Sequence, residues 1–315
     1  MRRRSDGEAT YRAGSRAVAI THPGRVLFPD DGFTKRDLAD YHHAVAPAML
    51  RHLAGRPLML QRFPAGIGSE GFYQKEGARG GVPGWIRTVE VTKEGGTVRH
   101  PVVDDEAGLL ALTNLSTVTF HRWPSRADRP DAPDLLVVDL DPSSDDFAPV
   151  RRTARWVRSA LDELDLPAFP AVTGSRGVHV VTPLDRSAPS GAVAAFAAGL
   201  ASLVAARHPR DVTVEGRKSR RRGRLYVDVA RNGWAQTAVA PYSVRARRGA
   251  PVAMPIWWEE LDQRSLRPDG WTMATAPRRL DEVGDPWAGI GRHRRSLATR
   301  AARLDTLLSE AGARP

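Results

Sequence analysis

Cysteine is absent from the 315 residues. No disulfide framework and no thiolate metal site can be built, which fits a reducing compartment. Any metal must be held by Asp, Glu, His or backbone oxygens. Lysine is scarce as well: Lys35, Lys75, Lys93 and Lys218 stand among 47 Lys and Arg residues. With abundant Ala, Gly and Pro, this is the mark of GC-rich coding bias. Arginine number is therefore weak functional evidence, and the few lysines are better suspects. Long hydrophobic runs are also missing. The most apolar stretch, Gly191–Ala206, is Ala-rich and short for a bilayer span. Its Val193, Phe196, Leu200, Leu203 and Val204 recur at helical spacing and predict a buried amphipathic helix. Residues 1–16 have no apolar core and read as a disordered basic tail, not a signal peptide. No membrane partner is expected. The formal net charge of +11 favours a polyanionic one.

What is present centres on Asp134–Phe147, DLLVVDLDPSSDDF. Four aliphatics, Leu135–Val138, predict a short buried strand that ends in Asp139, Leu140 and Asp141. Side chains alternate along a strand, so Asp139 and Asp141 share a face. Two such carboxylates repel unless a cation lies between them. A pair of divalent ions would serve, at a separation that suits phosphoryl or nucleotidyl transfer. The plainer alternative is a polar strand end opening into a helix, with Asp145 and Asp146 as first-turn acids.

Other stretches supply matching chemistry. Arg25 and Lys35 flank a loop before a helix that Thr34 can cap with Asp37, a setting able to hold a phosphate. Leu38, Tyr41, Val45 and Met49 mark that helix's buried stripe, and Pro47 should kink it. Phe72 and Tyr73 are adjacent aromatics beside Lys75. On a strand they face opposite ways, so at least one should be exposed and able to stack on a base. Strand, turn and strand are predicted over Phe169–Thr182. The turn, Gly174-Ser175-Arg176-Gly177, can converge backbone N–H groups on an anion, and His179 follows it. His121 ends a predicted strand. Arg217–Arg224, RKSRRRGR, precedes an apolar strand, Leu225–Ala230, that carries Asp228. A third strand carboxylate beside a basic ridge suits a metal site next to a nucleic-acid track. Arg245 and Arg247 would share a face if extended.

The ordered set VLFP-x4-TK, GFYQK, DLDP, TGSRGVH, YVD-x2-RN and TAVAPYSVRAR resembles the polymerase domain of bacterial ligase D, in the archaeo-eukaryotic primase superfamily. The resemblance covers about Ala17 to Leu304. It implies an α+β fold, with a central, mostly antiparallel sheet flanked by helices and an N-terminal α/β part. The implied organisation is a tail over 1–16, a primase-polymerase domain over 17–290 (N-terminal part 17–125, catalytic core 126–250) and a C-terminal helix in 291–315. Asp139, Asp141 and Asp228 match the metal-binding carboxylates. Thr173, Ser175, Arg176 and His179 match the triphosphate segment, and Arg245 a further triphosphate contact. Arg25 and Lys35 match the pair that grips a downstream 5′-phosphate. Phe72 and Tyr73 match an aromatic pair at the template bend, with Lys75 beside it. Lys218 and Arg221 match basic residues along the template, and His121 an active-site histidine. Thr173 replaces the family's usual Ser, Arg25 its usual Lys, and His22 its usual Asn.

The implied activity is template-directed nucleotidyl transfer with two Mn²⁺ or Mg²⁺ ions, using NTP or dNTP and preferring ribonucleotides. The implied role is gap filling and end extension in non-homologous end joining. The implied partners are gapped or 3′-overhanging duplex DNA with a 5′-phosphate, together with Ku. None of the four lysines sits in a ligase K-x-D-G motif, so the expectation is a stand-alone polymerase module working with a separate ATP-dependent ligase. The expected location is the cytoplasm, on the nucleoid, with a dimer when two ends are synapsed. The alternatives weighed are a primase-polymerase in priming or damage tolerance, a manganese-dependent glycosyltransferase and a non-catalytic end-bridging module. The glycosyltransferase explains neither the basic ridge nor the aromatic cluster.

Overall fold

The structure is a computed structural model that describes residues 8–93, 95–142 and 146–313. The chain forms two compact units. The first runs up to Trp123 and takes in Val239–Met254 and Trp271–Asp285; the second comprises Pro124–Ala238, Pro255–Gly270 and the chain from Pro286 onward.

The first unit opens on a hairpin of β1 (Ala9–Ala13) and β2 (Arg16–Ile20), turned at Gly14 with φ +60°. The tail expected through residue 16 is corrected here. Ala9, Ala13, Val18 and Ile20 are buried, and that alternation ties down an otherwise polar segment. A second short pair, β3 (Val26–Phe28) and β4 (Phe33–Thr34), leads into α1 (Lys35–Leu53). Thr34 caps α1: its hydroxyl accepts the Asp37 N–H at 3.2 Å, and the Asp37 carboxylate accepts the Thr34 N–H at 2.7 Å. Leu38, Tyr41, Val45 and Met49 are buried as the spacing predicts. Pro47 lies inside α1 without ending it. Pro47 and His43 are both exposed, so the turn that lacks one helical bond lies on the helix's exposed side.

Next come β5 (Leu58–Arg62), β6 (Phe72–Gln74), the hairpin β7 (Thr88–Lys93) and β8 (Gly96–Pro101), α2 (Glu106–Asn114) and β9 (Thr117–Arg122). Strands β9-β5-β6 form an antiparallel sheet over a core that includes Leu58, Leu60, Phe120 and Trp123. A buried polar knot joins α1 to the end of this unit. His52 Nε2 lies 3.0 Å from Asp285, and the Tyr242 hydroxyl donates to the same carboxylate at 2.8 Å.

The second unit contains β10 (Leu135–Asp141), α3 (Ala148–Glu163), β11 (Phe169–Val172), β12 (Val178–Pro183), α4 (Ser190–Arg207), β13 (Val212–Thr213) and β14 (Leu225–Asp228). Strand order is β13-β14-β10-β12-β11, antiparallel except for β13 with β14. Leu136, Val138 and Leu140 are fully buried on the side where α3 and α4 pack against the sheet. The opposite side of β10 reads Leu135, Val137, Asp139, Asp141. Its apolar half joins Ala171, Val181, Ala238 and Trp287 in one core cluster. Trp287 is pinned there by an indole N–H bond to the Pro170 carbonyl at 3.0 Å. α4 is long and apolar enough to cross a membrane by composition. Its Val193, Phe196, Leu200, Leu203 and Val204 are buried in the unit, as the helical spacing predicts.

Candidate active site

Three adjacent strands build one polar row. Asp139 on β10 is register partner to Asp228 on β14 on one side and to His179 on β12 on the other. Directly opposed residues share a sheet face. Asp141, two residues on, shares it by alternation and sits opposite Tyr226. The side chains of Asp139 and Asp228 are only 14% and 17% exposed. His179 Nε2 lies 3.5 Å from Asp139. Arg231 reaches both carboxylates, at 3.5 Å from Asp228 and 3.9 Å from Asp139. The carboxylates predicted from D-x-D and from the late strand are thus on one face, with a guanidinium bridging two of them.

Hard oxygen donors in a half-buried row fit a divalent cation. Among the described residues no three His, Asp or Glu side chains already enclose a common point. Arg231 supplies the positive charge that the two facing acids require.

The segment after β11 folds as predicted. Thr173 N–H donates to the Gly177 carbonyl at 3.0 Å, and Gly177 N–H donates to the Thr173 hydroxyl at 3.2 Å. Ser175 is half-buried and Arg176 is exposed at the tip. Gly177 passes so close to β10 that a Cβ there would meet the Leu140 carbonyl at 2.3 Å and an Asp141 carboxylate oxygen at 2.7 Å. The turn is pressed against the carboxylate strand, and only Gly permits it. Asp145 lies outside the described residues; Asp146 accepts the Ala148 N–H at 2.9 Å in a turn just before α3, whose N-cap Phe147 makes no side-chain cap bond.

The strand predicted over Leu225–Ala230 stops at Asp228 and turns into a 3₁₀ segment, Ala230–Asn232. In the basic stretch, Lys218 is exposed. Arg221 instead donates to the carbonyls of Glu215 at 3.1 Å and Gly216 at 2.8 Å, and its guanidinium lies 4.3 Å over the Tyr226 ring. Two of its five N–H groups hold the loop from Glu215 to Arg221. Burial, then the Asp228 charge, raise the Tyr226 phenol pKa.

The first unit holds the remaining predicted residues. Lys35 is buried, and its ammonium donates to the Thr21 carbonyl at 2.8 Å. Burial, then the Arg25 and Arg62 charges, push its pKa down to about 8. The Arg25 guanidinium donates to the Pro64 carbonyl at 2.7 Å, and the Arg25 carbonyl accepts the Lys35 N–H at 2.8 Å. His22, the departure from the family pattern, takes φ 51°. Phe72 and Tyr73 are both exposed, at 47% and 57%. They take opposite faces of β6: Arg62 lies 5.3 Å over Phe72, and Tyr73 meets His121 edge-on at 5.8 Å. Lys75 follows β6 and is half-buried.

Arg245 and Arg247 do not share an extended face. Arg247 N–H bonds the Arg245 carbonyl at 2.8 Å, which closes a tight turn.

Three residues of these sites escaped the sequence reading: Arg62, Arg231 and Asn232. Arg62 was lost among the many arginines. The other two stand in the RN of YVD-x2-RN, next to Asp228, and that adjacency was the available signal.

Comparison with known proteins assigns the chain's family and fold. Residues 34–287 match the family model of the LigD primase-polymerase domain. The multifunctional non-homologous end joining protein LigD of Pseudomonas aeruginosa is 36% identical over 297 residues, covering 92% of this chain and 35% of that protein. LigD of Mycobacterium tuberculosis is 35% identical over 264 residues, covering 81% and 35%. The chain thus spans about a third of the length of these curated relatives. The polymerase domain of Mycobacterium tuberculosis ligase D, solved in complex with DNA, superposes with a TM-score of 0.81 at 32% identity, covering 88% of this chain and 99% of that one. The fold is the α+β, archaeo-eukaryotic primase-like fold. With these matches and the carboxylate row in place, the chain belongs to the LigD primase-polymerase domain family, a family of nucleotidyltransferases.

Proposed function

We propose that this chain is a template-directed nucleotidyltransferase that fills gaps and extends ends in bacterial non-homologous end joining. The observation that carries the reading is the register pair Asp139–Asp228, with His179 in the same row. Asp139, Asp141 and Asp228 would hold the divalent ions. When bound, those ions would supply Lewis acidity at the primer 3′-hydroxyl and at the triphosphate. The protein's own groups do the rest. Thr173 and Gly177 close the turn on one another, and the triphosphate would lie against the turn's tip, residues 174–176. Arg176 and His179 place positive or hydrogen-bonding character where charge collects on the leaving group. His179 Nε2 lies 3.5 Å from Asp139, within the same row.

DNA with a 5′-phosphate is the proposed partner. Its support is the clustering of Lys35 with Arg25 and Arg62 and the two exposed rings of β6. A preference for ribonucleotides, Mn²⁺ as the favoured ion and cooperation with Ku belong to the same reading and rest on the resemblance.

The test is extension of a one-nucleotide gap with and without a 5′-phosphate, comparing NTP with dNTP and Mn²⁺ with Mg²⁺. Faster insertion of NTP at the phosphorylated gap is the expected result. Equal use of both gaps would instead favour priming or damage tolerance.

A further inference from the structure

The β10–β14 ladder ends abruptly just where it matters. Its register is Asp141↔Tyr226, Leu140↔Val227, Asp139↔Asp228. Continued by two residues, it would bring Ala230 opposite Val137. Instead the chain leaves the sheet at Val229, with φ −118° and ψ 6°. The vacated place beside Val137 is filled by the Asn232 side chain. Its Oδ1 accepts the Val137 N–H at 2.8 Å, and its Nδ2 donates to the Val137 carbonyl at 2.7 Å. That two-point bond copies a strand pair. A third bond, Nδ2 to the Val229 carbonyl at 2.8 Å, fixes the turn itself.

We propose that Asn232 is a positioning residue for the acidic row, holding Asp228 opposite Asp139 by standing in for a strand residue. The substitution has two consequences. The Ala230 N–H, released from the ladder, donates to the Asp228 carboxylate at 2.8 Å and orients it. The tight turn brings Arg231 back to both Asp228 and Asp139. A carboxamide suits the place because it offers donor and acceptor on one short stem. Asp lacks the donor, Ala lacks both, and Gln is one methylene too long. Asn232 is 1% exposed, so its loss leaves the polar groups of Val137 buried without a replacement. The catalytic half of this proposal rests on the reading of Asp139 and Asp228 as metal ligands. The register half does not.

The experiment uses the full chain as Asn232→Ala and Asn232→Asp, with Asp139→Asn as control. Three readouts are taken on folded protein: amide exchange over 135–139, Mn²⁺ binding by electron paramagnetic resonance, and kcat against KM for the nucleotide. Asn232→Ala is expected to speed Val137 exchange at least about tenfold. It should also weaken Mn²⁺ binding and lower kcat by roughly 10–100-fold, the size of effect seen when a group supporting a metal ligand is lost. Nucleotide KM should change little. Asn232→Asp keeps the acceptor but turns a carboxylate oxygen on the Val137 and Val229 carbonyls, so it should lose at least as much as Asn232→Ala on all three readouts. Asn232→Ser, a shorter stem that still carries a donor and an acceptor, carries the same readouts if neither variant folds. Parental Val137 protection, Mn²⁺ affinity and kcat per folded molecule would overturn the proposal. If Asp139→Asn binds Mn²⁺ like the parent, the metal reading fails, and Val137 exchange still decides the role of Asn232.

Discussion

Asp139 and Asp228 face one another across the β10–β14 pair, and the Arg231 guanidinium reaches both. Like charges opposed in a sheet are destabilising, and one guanidinium at 3.5 and 3.9 Å offsets two carboxylates only in part, so if the row holds cations it should cost stability without them. Asp228→Asn should therefore melt no lower than the parent without metal. With Mn²⁺ at about 100 times its dissociation constant, the parent should gain roughly 2.7 kcal/mol by mass action, and the variant should gain far less. Thermal melts with and without Mn²⁺ measure both. A full parental Mn²⁺ shift in the variant would remove Asp228 from the metal site.

Lys35 should make use of a 5′-phosphate depend on pH. Its pKa in the folded chain is about 8, below its ordinary value, because burial and the Arg25 and Arg62 charges oppose its ammonium form. The charged form is present below that value and lost above it. The advantage of a phosphorylated over an unphosphorylated gap should shrink as pH rises through about 8. The burial cost of the Lys35 charge should lift over the same range, so folding stability gains there. Lys35→Met should lack the advantage at every pH. A phosphate advantage that stays flat well above pH 8, or survives in the Met variant, would contradict this.

Phe72 lies under the Arg62 guanidinium with much of its ring still exposed. If it stacks on a template base, Phe72→Ala should weaken binding to overhanging DNA by about 1–3 kcal/mol. Blunt duplex without an overhang is the control. Equal losses on both substrates would point to a packing role instead.

Gly177 offers a test of how tightly the turn is fitted to β10. A Cβ would meet the Leu140 carbonyl at 2.3 Å, a contact that backbone must move to relieve. Gly177→Ala should destabilise the protein by about 1–3 kcal/mol, the usual cost of overpacking, and should depress turnover beyond the loss of folded protein. Denaturant melts and rates per folded molecule separate the two effects. A neutral outcome in both would show that the turn yields.

Local pattern carried much of this protein. The aliphatic run before Asp139, the Thr34–Asp37 cap and the glycine-bracketed 174–177 turn each follow from a few neighbouring residues, and each formed as its spacing predicts. Alternation placed Asp139 and Asp141 on one face. Which strand would lie beside them is a long-range fact that no local period encodes. The meeting of Asp139 with Asp228 became readable only through the family's motif order. The misses differ in kind. β1 is too short and polar for its alternation to stand out, and it is ordered by pairing with β2. Asn232 imitates backbone with a side chain, which no periodicity reveals. The His52–Asp285–Tyr242 knot joins residues up to 233 positions apart. Arg245 and Arg247 would share a face only if extended; bonds within the loop, from the Arg247 N–H to the Arg245 carbonyl and from the Ala250 N–H to the Arg247 carbonyl, turn it instead.

The most direct measurement is single-turnover nucleotide insertion at a 5′-phosphorylated one-nucleotide gap, comparing the parent with Asp139→Asn and Asp228→Asn at saturating Mn²⁺. If the two acids jointly hold the ions, each variant should lose at least about 100-fold in rate, the scale of losing preorganised electrostatic stabilisation, while still binding the gapped DNA. Insertion by either variant at a rate near the parent's would contradict the account at its centre.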